Sequence, residues 1–210
     1  MSQKGKFLTI EGGEGSGKST NIQFIRQYLE SRGIELICTR EPGGTVYSEK
    51  IRELLLAHES EPLAADAELL LIFAARAQHL QQLILPALDR GQWVLCDRFT
   101  DATYAYQGAG RSLGLNKVAE LEQFVQGVMR PDLTIILDIP VELGMQRVQK
   151  RGELDRFETE KMAFFKTVRQ AYLDLASQDQ SRYRIVDTRV DLEQVQRNLK
   201  TLLEEFVASK

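Results

Sequence analysis

The chain has 210 residues, enough to bury a full core as one domain, and no Pro/Gly/Ser-rich linker or change of composition divides it. A formal net charge of −3 speaks against wrapping a nucleic-acid duplex. The opening MSQKGKFLTIE holds no apolar stretch long enough for a signal peptide or membrane span. A cytoplasmic protein with neither a nucleic-acid nor a membrane partner is therefore expected. Cys38 and Cys96 end apolar runs, lack metal-ligand spacing and read as buried free thiols.

The first predicted element is an apolar strand, Phe7–Glu11, followed at once by GGEGSGKST. Gly12, Gly17, Lys18 and Ser19 occupy the four required positions of a phosphate-binding loop, between a strand and a helix predicted over Lys18–Arg32. Glycines let successive N–H groups converge on phosphate oxygens at the positive end of that helix. Gly12, Gly13, Glu14, Gly15, Ser16, Gly17, Lys18, Ser19 and Thr20 are thus expected around a nucleoside triphosphate. Lys18 would meet the β and γ oxygens, and Ser19 would offer a hydroxyl to Mg²⁺. Gly33 has the character of a helix C-cap.

A second strand, Glu35–Thr39, leads through TREPGGT to a helix over Tyr47–Ala57. A long apolar helix over Ala65–Arg90 follows, with Pro86 as a kink point. The third strand, Trp93–Asp97, ends in Asp-Arg rather than the Asp-Glu usual in transport and assembly ATPases. Asp97 can hold a metal ion or its waters, and Arg98 can reach a phosphate on a second ligand. Together they suit phosphate-to-phosphate transfer, although a structural ion pair would read the same way. LGLNKV reads as loop leading into a helix over Asn116–Val128, and NKVA lacks the aspartate of a guanine-reading motif. A fourth strand, Leu133–Asp138, precedes a helix over Val141–Lys150. Arg147, Lys150, Arg151 and Arg156 then crowd around Gly152. This cluster is either a solvated face or a lid that brings arginines to a transferring phosphoryl group. A helix over Glu158–Ser177, a strand at Arg184–Val186 and a helix over Leu192–Val207 complete the chain. Strands alternating with helices imply an α/β fold: a parallel sheet, helices on both faces, ligands beyond the carboxyl ends of the strands. His58 and His79 have no partner at catalytic spacing and read as surface or helix residues.

With EGGEGSGKST, TREPGGT, FAARAQHL, DRFTDATYAYQG and RGELDRFE, the chain resembles the thymidylate kinases nearly end to end. The resemblance implies a single P-loop nucleoside monophosphate kinase-like domain over 1–210. It would have a five-stranded parallel sheet and a lid at about 147–158, and would work as a homodimer transferring the γ-phosphoryl of ATP to dTMP with Mg²⁺. By the same resemblance Glu14 faces the sugar 3′-hydroxyl, while Arg98 and Arg52 take the acceptor phosphate. Asp97 tunes Arg98 and the metal, and Arg40, Glu41 and Pro42 close one side of the acceptor site, with a cis peptide before Pro42. Arg76 reads the base with Thr103 and Gln107, Phe73 stacks on it, and Tyr106 excludes a ribose hydroxyl. Arg151, alone or with Arg156, completes the charge clamp of the transition state.

Three departures stand out. Family members place the stacking aromatic four residues before the base-reading arginine; that position is Ile72 here, and Phe73 lies three before, so either residue can face the base. Ala102 stands where a serine is frequent. Some members carry an arginine inside the P-loop, where this chain has Gly15, and this assigns it to the bacterial kind with lid arginines.

Overall fold

The computed structural model describes residues 4–150 and 156–208. Its five strands form one parallel sheet in the order β2-β3-β1-β4-β5. They are β1 (Phe7–Glu11), β2 (Leu36–Arg40), β3 (Trp93–Asp97), β4 (Leu133–Asp138) and β5 (Tyr183–Asp187). Every residue of β1 is buried, as expected of a central parallel strand covered on both faces. Its side chains alternate across the sheet. Leu8 and Ile10 meet Ile25 and Leu29 of α1 (Lys18–Ser31), while Phe7 packs with Val94, Leu80 and Ile84. Register sets Ile10 beside Asp97, so the loop after β1 and the Asp-Arg pair after β3 emerge side by side.

The remaining helices are α2 (Val46–Leu56), α3 (Ala65–His79), α4 (Leu85–Asp89), α5 (Thr100–Thr103), α6 (Leu115–Gln126), α7 (Val141–Gln149), α8 (Met162–Gln178) and α9 (Leu192–Ala208). Two stretches depart from the expected elements. The long helix is not continuous: a π-helical turn at Leu80–Ile84 divides α3 from α4, and the Leu85 amide bonds the Leu80 carbonyl five residues back. Pro86 has no amide to give and crowds the preceding turn, and the wider π turn just before it accommodates both effects. The second departure is helical structure at Thr100–Gly110, α5 running into a π-helical turn from Tyr104 to Gly110. Its threonines, tyrosines and glycines are weak helix formers, so packing against α8, not propensity, holds it.

Cys96 is buried in the core, but Cys38 is exposed, contrary to the buried thiol expected there. It lies on edge strand β2, where the sheet is covered incompletely. Among the described residues no helix is long and apolar enough to cross a membrane.

Candidate active site

One cavity of about 590 Å³ opens at the carboxyl ends of the central strands and runs from the glycine loop to α3. On one side lie Glu14, Gly15, Ser16, Gly17, Lys18, Ser19 and Thr20. Gly17 is left-handed at φ 87° and caps α1, so the loop's last amides and the helix N-terminus point the same way. Lys18 Nζ reaches the Gly12 carbonyl at 3.4 Å. Burial and the nearby Arg98 charge lower the Lys18 pKa, while Glu14, Asp97 and Glu11 oppose that shift. Gly12 and Gly13 do not line the cavity, and Gly12 contributes its carbonyl to Lys18 and Arg98.

The two strand-end aspartates have different fates. Asp138 is held by a two-pronged ion pair with Arg169, at 2.7 and 2.8 Å. Asp97 lines the cavity, and its buried Oδ1 has no partner among the described residues. Ser19, in the first turn of α1, lines the same side. These are two oxygen donors of the kind Mg²⁺ accepts alongside phosphate and water.

Arg98 joins the two halves of the cavity. Its backbone sits at φ 67°, a left-handed conformation that a non-glycine residue adopts at a cost. Nη1 bonds the Gly12 carbonyl at 3.0 Å and the Tyr172 hydroxyl at 3.2 Å, and Nη2 bonds Glu14 at 2.7 Å. The Tyr106 hydroxyl donates to the same Glu14 oxygen at 2.6 Å, and its ring lies 4.8 Å from the guanidinium. Burial works against the Arg98 charge, but Tyr106, Glu14, Tyr172 and Asp97 outweigh it and raise the pKa well above its ordinary value. Behind Arg98, Glu11 accepts from Tyr172 and from the Phe99 amide. Burial, with the Asp101 charge adding to it, lifts the Glu11 carboxyl to about 8.

The far wall comes from the TREPGGT loop, α3 and the helical stretch after β3. Glu41 precedes a cis peptide to Pro42. Arg52 donates to the Pro42 carbonyl at 3.0 Å, and Arg40 pairs with Glu49, whose other oxygen takes the Gly44 amide. Arg76, almost wholly buried, gives Nε to Glu41 at 2.7 Å and Nη2 to Thr103 at 2.9 Å. Its Nη1 has no partner among the described residues, and the residue lines the cavity. Thr103, Tyr106 and Gln107 share one face of their helical stretch at i, i+3 and i+4, and all three line the cavity. The Gln107 amide donates to Glu68 at 2.7 Å.

Comparison with known proteins agrees with this geometry. The thymidylate kinase family model matches residues 10–199. A thymidylate kinase of Ectopseudomonas mendocina is 59% identical over 199 residues, covering 95% of each chain. One from Pseudomonas putida is 58% identical, and one from Pseudomonas savastanoi pv. phaseolicola 57% identical, both over 203 residues and 97% of each chain. The chain belongs to the thymidylate kinase family.

Seen as a thymidylate kinase family member, the chain accounts for its departures. Ile72 lines the cavity. Phe73 does not: it packs against Leu69 and Val118, and the Arg76 guanidinium lies 4.8 Å from its ring. The expected stacking role of Phe73 is therefore corrected. One residue turns a helix by about 100°, and that turn carries Phe73 from the cavity into the core. Gly15 has φ 71°, and a Cβ there would overlap the Gly144 carbonyl of α7, so no arginine side chain fits in the P-loop of this backbone. Arg151 lies outside the described residues. Arg156 does not line the cavity: it bonds Glu68 at 2.6 Å and the Leu55 carbonyl at 2.8 Å, its charge spent on α3 rather than offered to a phosphate. Arg147 of the same basic cluster does line it, bonding the Gly15 and Thr188 carbonyls.

Three residues of the site were not legible in the sequence. Glu11 and Tyr172 support Arg98 from behind. His79, read as a surface or helix residue, is fully buried and bonded to Glu41 and Thr39. Its only sequence signal was a polar residue one turn after Arg76 on an apolar helix.

Proposed function

We propose that the chain transfers the γ-phosphoryl group of ATP to dTMP, giving ADP and dTDP. The observation that carries this is the continuity of a single cavity from Lys18, at the glycine loop, to the unpaired Nη1 of Arg76, with Arg98 between them. Family membership names the nucleotide. In this reading the loop amides and Lys18 hold the triphosphate, and Arg98, with Arg52, grips the acceptor phosphate. Glu14 takes the sugar hydroxyl, and the Tyr106 ring crowds the position where a ribose would carry one more. Arg40, Glu41 and Pro42 close the acceptor side, and Arg76, Thr103 and Gln107 address the base over Ile72. Arg151 completes the clamp.

Asp97 and Ser19 would hold Mg²⁺, which when bound neutralises charge on the transferring phosphoryl group. The acceptor is a phosphate dianion near neutral pH, so no residue need remove a proton before it attacks. Catalysis is then alignment and charge neutralisation by fixed donors. The proposal includes the cytoplasm as the site of action, consistent with two unpaired cysteines. It also includes a homodimer. Exposed apolar side chains on α2 (Tyr47, Leu54), α3 (Leu70) and α6 (Phe124), helices that pack in series, support an interface there.

The test is a panel of monophosphates with ATP and Mg²⁺, read as ADP released. dTMP is expected to give the highest kcat/KM, and a preference for dCMP, UMP or AMP would reassign the enzyme. Partner-stimulated ATP hydrolysis with no transfer to any monophosphate would point instead to an ATP-driven switch. Sedimentation of the purified chain at twice its monomer mass is expected; a monomer would remove the dimer.

A further inference from the structure

Arg76 is among the largest fully buried side chains, and something must fix the aim of its Nη1, which has no partner among the described residues. Thr103 holds one edge of the guanidinium, and Phe73 and Phe99 face it at 4.8 and 5.1 Å. The other edge depends on Glu41. A glutamate has three side-chain torsions, and this one hangs from a loop, so its carboxylate needs a second constraint. His79 supplies it: Nδ1 lies 3.0 Å from Glu41 Oε1, while Glu41 Oε2 takes Arg76 Nε at 2.7 Å. The ring is itself fixed by Thr39 Oγ1, 2.7 Å from Nε2. Gly44 of the same loop packs close to the ring, and a Cβ on it would collide with both Nε2 and Thr39 Oγ1. A hydrogen bond from the ring to the Glu41 carboxylate puts a proton on Nδ1, and in the neutral tautomer Nε2 then accepts from the threonine hydroxyl.

We infer that His79 is a positioning residue for nucleobase recognition, acting through Glu41 to aim Arg76 at the acceptor base. His79 itself touches no substrate. The chain Thr39–His79–Glu41–Arg76 links edge strand β2 to α3 behind the cavity wall, so the aim of Arg76 is set by the sheet as well as by its own helix. The inference rests on the proposed reading that Arg76 addresses the base of dTMP.

The experiment is steady-state kinetics on His79→Leu, His79→Gln and His79→Asn, each alone and with Arg76→Ala. Asparagine places an amide N–H where Nδ1 stood and can keep the Glu41 bond; glutamine reaches the Nε2 position and cannot. Leu and Gln are expected to raise KM for dTMP about 10-fold, with KM for ATP and saturating kcat within about 3-fold of the parent. Asn is expected to hold KM for dTMP within about 3-fold. In the Arg76→Ala background the His79 changes should add nothing to KM. A purely structural histidine would lower stability and active fraction, and neither alters KM. Three results overturn the inference: an unchanged KM for dTMP in His79→Leu, equal effects of Asn and Gln, or the full His79 penalty persisting without Arg76. If Arg76→Ala alone leaves KM for dTMP unchanged, the base-reading role fails and the inference with it. If Arg76→Ala raises KM and His79→Leu does not, the role of Arg76 stands and His79 alone is removed.

Discussion

The two ends of the cavity are built in opposite ways. The end proposed for the triphosphate is lined by a run of consecutive residues, Glu14 to Thr20, with one helix terminus and one lysine. The end proposed for the acceptor is assembled from segments more than a hundred residues apart in the chain. Glu41 holds Arg76, while Tyr106, Tyr172 and, from the glycine loop itself, Glu14 hold Arg98, all by side-chain hydrogen bonds and ion pairs. A backbone cradle needs only the right torsions, so it recurs wherever the local sequence permits them. A side-chain network needs every partner in place, since one deletion leaves a buried charge without its counterpart. The first end should therefore fail through loss of charge or torsion, and the second through loss of geometry even when charge is kept.

The largest effect is expected at the triphosphate end. Lys18→Met, which keeps the length and removes the charge, should lower kcat by about 10²–10³-fold with KM for dTMP little changed. A matching rise in KM for dTMP would show that Lys18 serves both ends. Next, Arg98→Lys keeps the charge but not the fork that spans Gly12, Tyr172 and Glu14. A loss of about 10–150-fold in kcat/KM for dTMP is expected. Activity near the parent level would mean that charge without geometry suffices at the acceptor end, and the contrast would be broken.

A smaller effect probes torsion. Gly15→Ala sets a methyl group against the Gly144 carbonyl at φ 71°, and should lower Tm by about 3–10 °C while weakening ATP binding more than dTMP binding. Equal losses for the two nucleotides would place the strain outside the loop.

The smallest effect is a pH slope. The native pKa of Glu11, about 8, lies above its ordinary 4.5, so the folded chain keeps a proton that the unfolded chain gives up. Stability from this group is full below about 4.5 and is lost as pH rises toward 8. Glu11→Gln keeps one accepting oxygen for the Phe99 amide, offers an N–H to the Tyr172 hydroxyl in place of the other, and removes the titration. Its Tm is expected to fall less over that interval than the parent's, and parallel Tm profiles would return Glu11 to an ordinary carboxylate.

How much was readable beforehand follows the same division. The order of five strands and the glycine loop were visible because apolar runs and glycine spacing are local signals. The helical stretch at 100–110 was not, because Thr-Asp-Ala-Thr-Tyr-Ala-Tyr has little helical preference of its own and gains its form from α8. Neither the exposure of Cys38 nor the burial of His79 within its helix is legible, since neither an edge strand nor a buried polar chain leaves a mark in one segment alone. The choice between Ile72 and Phe73 turned on about 100° of helix rotation, which packing against Val118 decided.

By itself, then, the amino-acid order determined a parallel α/β sheet, a glycine loop of phosphate-binding pattern, and a resemblance specific enough to name a reaction. Spacing and alternation along one segment are enough to specify these. Tertiary structure alone decided which oxygens and nitrogens remain unpaired. Asp138 is consumed by Arg169 while Asp97 is spared, and Arg156 is spent on Glu68 while Arg76 keeps one nitrogen for the cavity. Whether a charged group is free is a property of its neighbours in space, and those neighbours come from everywhere in the chain.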